Sequence, residues 1–215
     1  MMPILLRWTK PAGILSLIVV ASCNLLTPLV FIGEHKKRVS PEFDRLARSR
    51  VAVLVWTDPA TLFDYPHARF ELAAYVGEKL AGEMAKRSQS IELVDPREVE
   101  DYLQREIDAQ VNPMDVGHHF DVDYVIYLEI FQFQIRDPQT PELLRGRVDA
   151  SVTVHDIRAV PARSARYELT PVRCTYPEHG QIILNATNAP LVRRSTYQKF
   201  AEQVSRKFYE YTVDL

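Results

Sequence analysis

The chain has 215 residues, 47% hydrophobic and 25% charged, which fits one folded domain of ordinary size with a tail and excludes both wholesale disorder and a multi-span membrane protein. Its formal net charge of -2 offers no broad basic field for nucleic acid, because phosphate binding draws on clustered Lys and Arg that release counterions. Seven glycines leave little material for phosphate loops, and two cysteines cannot build a zinc ribbon or a disulfide framework.

At the N-terminus Arg7 and Lys10 precede an apolar run over residues 11–21, and small residues then lead into a cysteine at Val20-Ala21-Ser22-Cys23. A positive segment, an apolar segment too short to span comfortably and a small-residue cleavage site follow one another in that order. The arrangement resembles the signal of bacterial lipoproteins, and Val20-Ala21-Ser22-Cys23 resembles their lipobox. The resemblance implies that Cys23 receives a diacylglyceryl thioether, that residues 1–22 are removed, and that the body sits in the periplasm, held to a membrane. Removal takes away Arg7 and Lys10 and no acidic residue, so the mature chain is the more acidic.

A second reading stays open. Leu25, Leu26, Leu29, Val30, Phe31 and Ile32 extend the uncharged segment, and residues 11–33 are long enough for a single transmembrane anchor with Pro28 near one end. His35-Lys36-Lys37-Arg38 lies on the far flank and opposes an outside C-terminus under the positive-inside rule. Either way the body is tethered. Residues 23–50 read as the lipidated cysteine and a membrane-proximal linker, whose basic residues can touch anionic headgroups.

The folded body, residues 51–160, opens with Val51-Ala52-Val53-Leu54-Val55-Trp56, a continuous apolar run that predicts a strand buried on both faces. Phe70, Ala73, Gly77, Leu80 and Met84 recur at helical spacing and predict an amphipathic helix over residues 67–87. A short strand over residues 91–94 leads into Asp95-Pro96-Arg97-Glu98, a helix start that buries Val99, Leu103 and Ile107, and Asn112-Pro113 repeats the device. Over residues 121–135, Tyr124, Ile126, Leu128 and Ile130 share one face before Phe131, Phe133 and Ile135 take over, so a bulge is expected near Ile130. The chain turns between Asp137 and Gly146, and Val148, Ala150, Val152 and Val154 then alternate with polar residues in a half-exposed antiparallel strand. Residues 161–215 read as a strand-and-helix extension of the same domain. They hold a strand over residues 165–169 and a last helix that starts at Ser195 and buries Tyr197, Phe200, Val204, Phe208 and Tyr211.

This order predicts an α/β fold, an α+β sandwich on a mixed sheet, with a parallel βαβα start, an antiparallel meander after it and a C-terminal helix packed on it. The runs at Val51-Ala52-Val53-Leu54-Val55, Ile91-Glu92-Leu93-Val94-Asp95, Asp121-Val122-Asp123-Tyr124-Val125-Ile126 and Val152-Thr153-Val154-His155-Asp156-Ile157 resemble one module of the bacterial envelope. It is shared by the curli secretion lipoprotein, the Tol-system N-terminal domain and lipoprotein activators of penicillin-binding proteins. The resemblance covers residues 51–160 and implies a component that works by contact with other envelope proteins. A curli-type pore is disfavoured, because residues 136–147 are short and polar with Glu142, Arg145 and Arg147.

No enzyme motif is complete. Gly77 and Gly82 have the interval of a phosphate loop but are followed by Glu83-Met84 where lysine and a hydroxyl residue belong, so close helix packing explains them better. Asp115, His118, His119, Asp121 and Asp123 form the densest ligand-type cluster and can gather a divalent metal, which makes a metal-binding protein or metal-dependent hydrolase the alternative function. The competing reading places both histidines at the negative end of a helix with the acids solvated. Cys174 is either a small buried hydrophobe or an exposed thiol, and Arg193-Arg194 is either a solvated helix approach or a site for an acidic surface or lipid. The expectation is a non-catalytic interaction module with no cofactor, a membrane bound through Cys23, envelope-protein partners and no nucleic acid. A membrane-associated ligand carrier is a weaker third reading.

Overall fold

The computed structural model describes residues 36–105, 112–159 and 165–214. Expectations that fall on Cys23, on residues 11–33 and on Ile107 lie outside them. The elements run β1 (Lys36–Val39), β2 (Arg50–Thr57), α1 (Pro59–Asp64), α2 (Ala68–Lys86), β3 (Glu92–Leu93), α3 (Pro96–Arg105), α4 (Pro113–His119), β4 (Tyr124–Arg136), β5 (Leu143–Asp156), β6 (Arg166–Tyr176), β7 (Ile182–Ile183), α5 (Asn188–Ser205) and β8 (Tyr211–Asp214). Ser40–Tyr211 form one compact unit, and outside it β1 pairs with β8 as a two-stranded sheet. Among the described residues no helix is long and apolar enough to cross a membrane.

The larger unit is built on a mixed sheet of order β3-β2-β4-β5-β6, with β7 pairing the start of β5. β2 is parallel to both β3 and β4, and β4, β5 and β6 form the antiparallel meander. Burial on both faces of β2 is as its apolar run predicts. Val51, Val53 and Val55 enter a core with α2 and α5, while Ala52 and Leu54 enter a second core with Val99 and Leu103 of α3 and Val116 of α4. The helix starts are satisfied locally: Asp95 accepts from the Arg97 amide at 2.8 Å and Asn112 from the Met114 amide at 3.0 Å. The bulge also stands where the phase change puts it. Pairing moves from Ile130↔Ala150 to Gln132↔Asp149, so Phe131 is left unpaired and Phe133 returns to the core side.

Three expectations are corrected. The linker read as reaching Arg50 ends sooner, because Phe43 and Leu46 are buried in the main core and Glu42 ties this segment to the end of α5. Its carboxylate accepts from Lys207 Nζ at 2.8 Å and from the Thr170 amide at 2.7 Å, and the amides of Glu42 and Phe43 both donate to the Lys207 carbonyl. The last helix starts at Asn188 rather than Ser195, with Asn185 Oδ1 accepting from the amides of Thr187 and Asn188. Pro190 does not prevent this, since it falls in the first turn, where a missing N–H leaves no helical bond unmade. Phe208 is buried as expected but lies beyond that helix, and Tyr211 opens β8 instead of extending the stripe. Finally, β5 starts at Leu143, so Gly146 is a strand residue and not the end of a turn.

Candidate interaction surface

The histidine cluster is dispersed by the fold. His118 and His119 close the last turn of α4, as the helix-end reading has it. The His119 ring lies against Tyr102 at 4.4 Å and Phe120 at 4.7 Å. Asp115 sits in the first turn of the same helix. Asp123 is engaged elsewhere, its Oδ2 accepting from the Arg50 amide at 2.8 Å and its Oδ1 pairing with Arg158 at 2.8 Å. Asp121 is exposed, 3.9 Å from the same guanidinium. Among the described residues no three His, Cys, Asp or Glu side chains are grouped to hold a metal ion.

Cys174 is buried in the main core, its Sγ 3.7 Å from the Thr196 carbonyl, and burial pushes its thiol up to about 11, so it is an inert packing residue. Gly77 supports the packing explanation, because a Cβ there would meet Leu93 Cδ1 at 3.3 Å; nothing lies near Gly82.

A groove of about 570 Å³ runs between α2 and α5, and several of its charges are paired within the protein. Glu83 bonds Lys86 at 2.8 Å, Arg87 at 2.8 Å and Lys79 at 3.3 Å. The hydrogen bonds from Lys86 and Arg87, helped by Lys79 against a smaller opposing effect of burial, hold this carboxyl at about 2 instead of its ordinary 4.5. A carboxyl whose folded value is depressed stabilises the fold above its unfolded value and loses that contribution as pH falls. The urea midpoint is therefore expected to decline between pH 4.5 and about 2. Glu83→Gln should flatten that part of the curve, and an identical pH profile in the variant would remove the network from the account of acid stability.

The sheet's free edge does not invite another strand. At β6 the Thr170 amide is taken by Glu42, and Pro171 has no N–H to give. The second face of the sheet is covered by α3 and α4 only over β2 and the start of β4; beyond them Glu129, Gln132, Asp149, Arg147 and Arg173 share an open polar face with the bulged Phe131.

Besides Trp56 and Phe131 on that face, large apolar side chains are exposed where β4 finishes and β5 begins. There α1 buries none of its residues and leaves Phe63 87% exposed, while Ile183 is 70% and Leu191 53% exposed. A cleft of about 440 Å³ at this end is lined by Asp64, Tyr65, Arg136, Leu144, Pro190 and Arg193, among others, and by none of the three exposed side chains. Asp58 N-caps α1, accepting from the Thr61 amide at 3.0 Å and hydroxyl at 2.7 Å, so the helix is held in place although nothing covers it. β7 is likewise pinned, by Asn188 Nδ2 donating to the Ile183 carbonyl at 2.9 Å.

Of these residues the sequence reading singled out Arg193 and missed the rest. Phe63, Ile183 and Leu191 are isolated apolar positions without a period, and nothing in their local pattern marks them as uncovered.

No family model matches the sequence, and no curated protein matches it. Among solved structures the chain is similar to the PelC dodecamer from Paraburkholderia phytofirmans, with 10% identity, 81% of this chain and 98% of that chain covered and a TM-score of 0.42. It is also similar to the lipoprotein GNA1162 from Neisseria meningitidis, at 12% identity over 72% of this chain and 99% of that one, with a TM-score of 0.37. A third is the hypothetical protein CT253 from Chlamydia trachomatis, at 12% identity over 75% of this chain and 98% of that one, with a TM-score of 0.40. At such identities and scores neither the dodecameric state of the first nor the lipoprotein character of the second transfers to this chain.

Proposed function

We propose that this chain is a membrane-tethered lipoprotein of the bacterial envelope whose αβ body works by contact with other envelope proteins and not by catalysis. The tether is supported by Val20-Ala21-Ser22-Cys23 behind a positive and an apolar segment. The contact role rests on one observation, the exposure of Phe63, Ile183 and Leu191 on α1, β7 and the start of α5. A large apolar side chain left in water by a well-packed domain marks a surface meant to be covered when several gather at one place.

Intact-mass measurement of the protein extracted in detergent tests the tether. A lipid-mass increment on a chain beginning at Cys23 is expected, and Cys23→Ala should abolish both acylation and processing. Several acyl chains on one residue hold stably, because each buried methylene adds about 0.8 kcal/mol. An unmodified chain retaining Met1 or Met2 would leave residues 11–33 as a transmembrane anchor in place of the lipid.

A further inference from the structure

We infer that the first half of β6 is a sheet edge released by acid: uptake of a proton by the His155 imidazole, opposite Arg166, loosens the pairs that run from Val152↔Leu169 to His155↔Arg166. The inference is independent of the contact role proposed above. It stands on where the fold puts this imidazole and on what faces it.

Among the described residues β6 pairs with β5 alone, and a register shift between Ala150 and Val152 divides that ladder in two. Such a shift leaves ladder bonds unmade, so one set of pairs can part without the other. The two sets are not equally held. Residues 166–169 alternate exposed with half-buried positions, whereas the later part of β6 buries Val172 and Cys174 in the main core.

His155 belongs to the weaker set. It is half-buried on the second face of the sheet, with its ring edge-on to Tyr127 at 6.2 Å. Its direct cross-strand partners are Val125 on β4 and Arg166 on β6, and α5 packs on the opposite face. From β4 the facing groups are the Tyr127 phenol and Asp123, whose oxygens are committed to the Arg50 amide and to Arg158. From β6 they are Arg166 and Glu168, which pair with each other at 3.0 Å. Asp156, next along β5, alternates to the other face and accepts from the Arg158 amide. α4 meets the end of β5 at Gly117, beside Ile157; its Asp115 and His118 are exposed, and its His119 lies on Tyr102.

Each of the facing carboxylates therefore has a partner already, and a guanidinium stands directly across the ladder. Like charges directly opposite destabilise an antiparallel pair. Burial and then the charge of Arg166 hold the imidazole below its ordinary 6.5. An opened ring takes up its proton near 6.5 while the closed one resists, so the contribution to the closed form is intact above that value and declines as pH falls through it. Detachment of residues 166–169 is the smallest opening that frees the ring.

Hydrogen–deuterium exchange of the full chain in detergent, corrected for the intrinsic pH dependence of exchange, tests the edge at about pH 7.5 and about pH 5.5. Protection over residues 166–169 is expected to fall by up to about tenfold at the lower pH, the limit for an opened ring that titrates one unit above it, while residues 172–176 keep theirs. His155→Gln should abolish the pH dependence, and Arg166→Gln should reduce it. An unchanged circular dichroism spectrum at the higher pH verifies that both variants fold. Equal protection at the two pH values, equal loss in both parts of β6, or a pH dependence that survives in His155→Gln or is undiminished in Arg166→Gln would each overturn the inference.

Discussion

Phe208→Ala is expected to lower the free energy of unfolding by about 3–5 kcal/mol, the usual cost of deleting a buried aromatic ring whose neighbours cannot collapse into the space. Phe208 is fully buried and stands edge-on to Phe43 at 6.4 Å. It lies where the segment after Ser40 and the chain beyond α5 are stitched together, next to Lys207, whose carbonyl holds the amides of Glu42 and Phe43 and whose ammonium holds the Glu42 carboxylate. The cavity would open under a backbone clamp that keeps the surroundings from relaxing. Urea unfolding of the full chain in detergent measures the effect, and an unchanged midpoint would take the ring out of the core.

Gly146→Ala should cost about 1–3 kcal/mol through overpacking, although it adds a single methyl group and replaces a weak strand former. A Cβ at this position would stand 2.9 Å from both Cβ and Cγ2 of Thr196 and closer still to its Oγ1. Thr196 cannot simply rotate away. Its hydroxyl donates to the Val192 carbonyl at 2.7 Å inside α5, and its own carbonyl lies against Cys174 Sγ. The missing side chain is what lets α5 lie directly on β5. Thermal unfolding of Gly146→Ala, of Thr196→Gly and of the double variant provides the check, with the double variant expected to be less unstable than the sum of the singles. Strict additivity would mean that the two residues do not press on each other.

Much of the fold is readable residue by residue. The continuous run at Val51 announces a strand buried on both sides, and the switch at Ile130 announces a bulge, because a period of two has no other way to change faces. Asp95 and Asn112 announce helix starts through the amides they satisfy. What misleads is a local signal with a distant cause. Gly146 looks like a turn residue, yet its reason is Thr196, fifty positions later. Pro190 looks like a helix breaker but sits where the first turn tolerates it. Phe43 and Leu46 are lone apolar residues among charges, and only the surfaces of α5, β4 and β6 make them core.

The same division governs function. By itself the sequence determined the principal strands and helices, the mixed-sheet class, and the expectation of a lipid at Cys23, because each depends on residues adjacent in the chain or one turn apart, while β1, α1, β7 and β8 were not legible in it. Only the tertiary structure decided that Asp123 serves Arg50 and Arg158 instead of joining the histidines, and that Phe63, Ile183 and Leu191 are left exposed. Exposure is not a property of a residue or its neighbours in sequence. It is what remains after elements more than a hundred residues apart have packed.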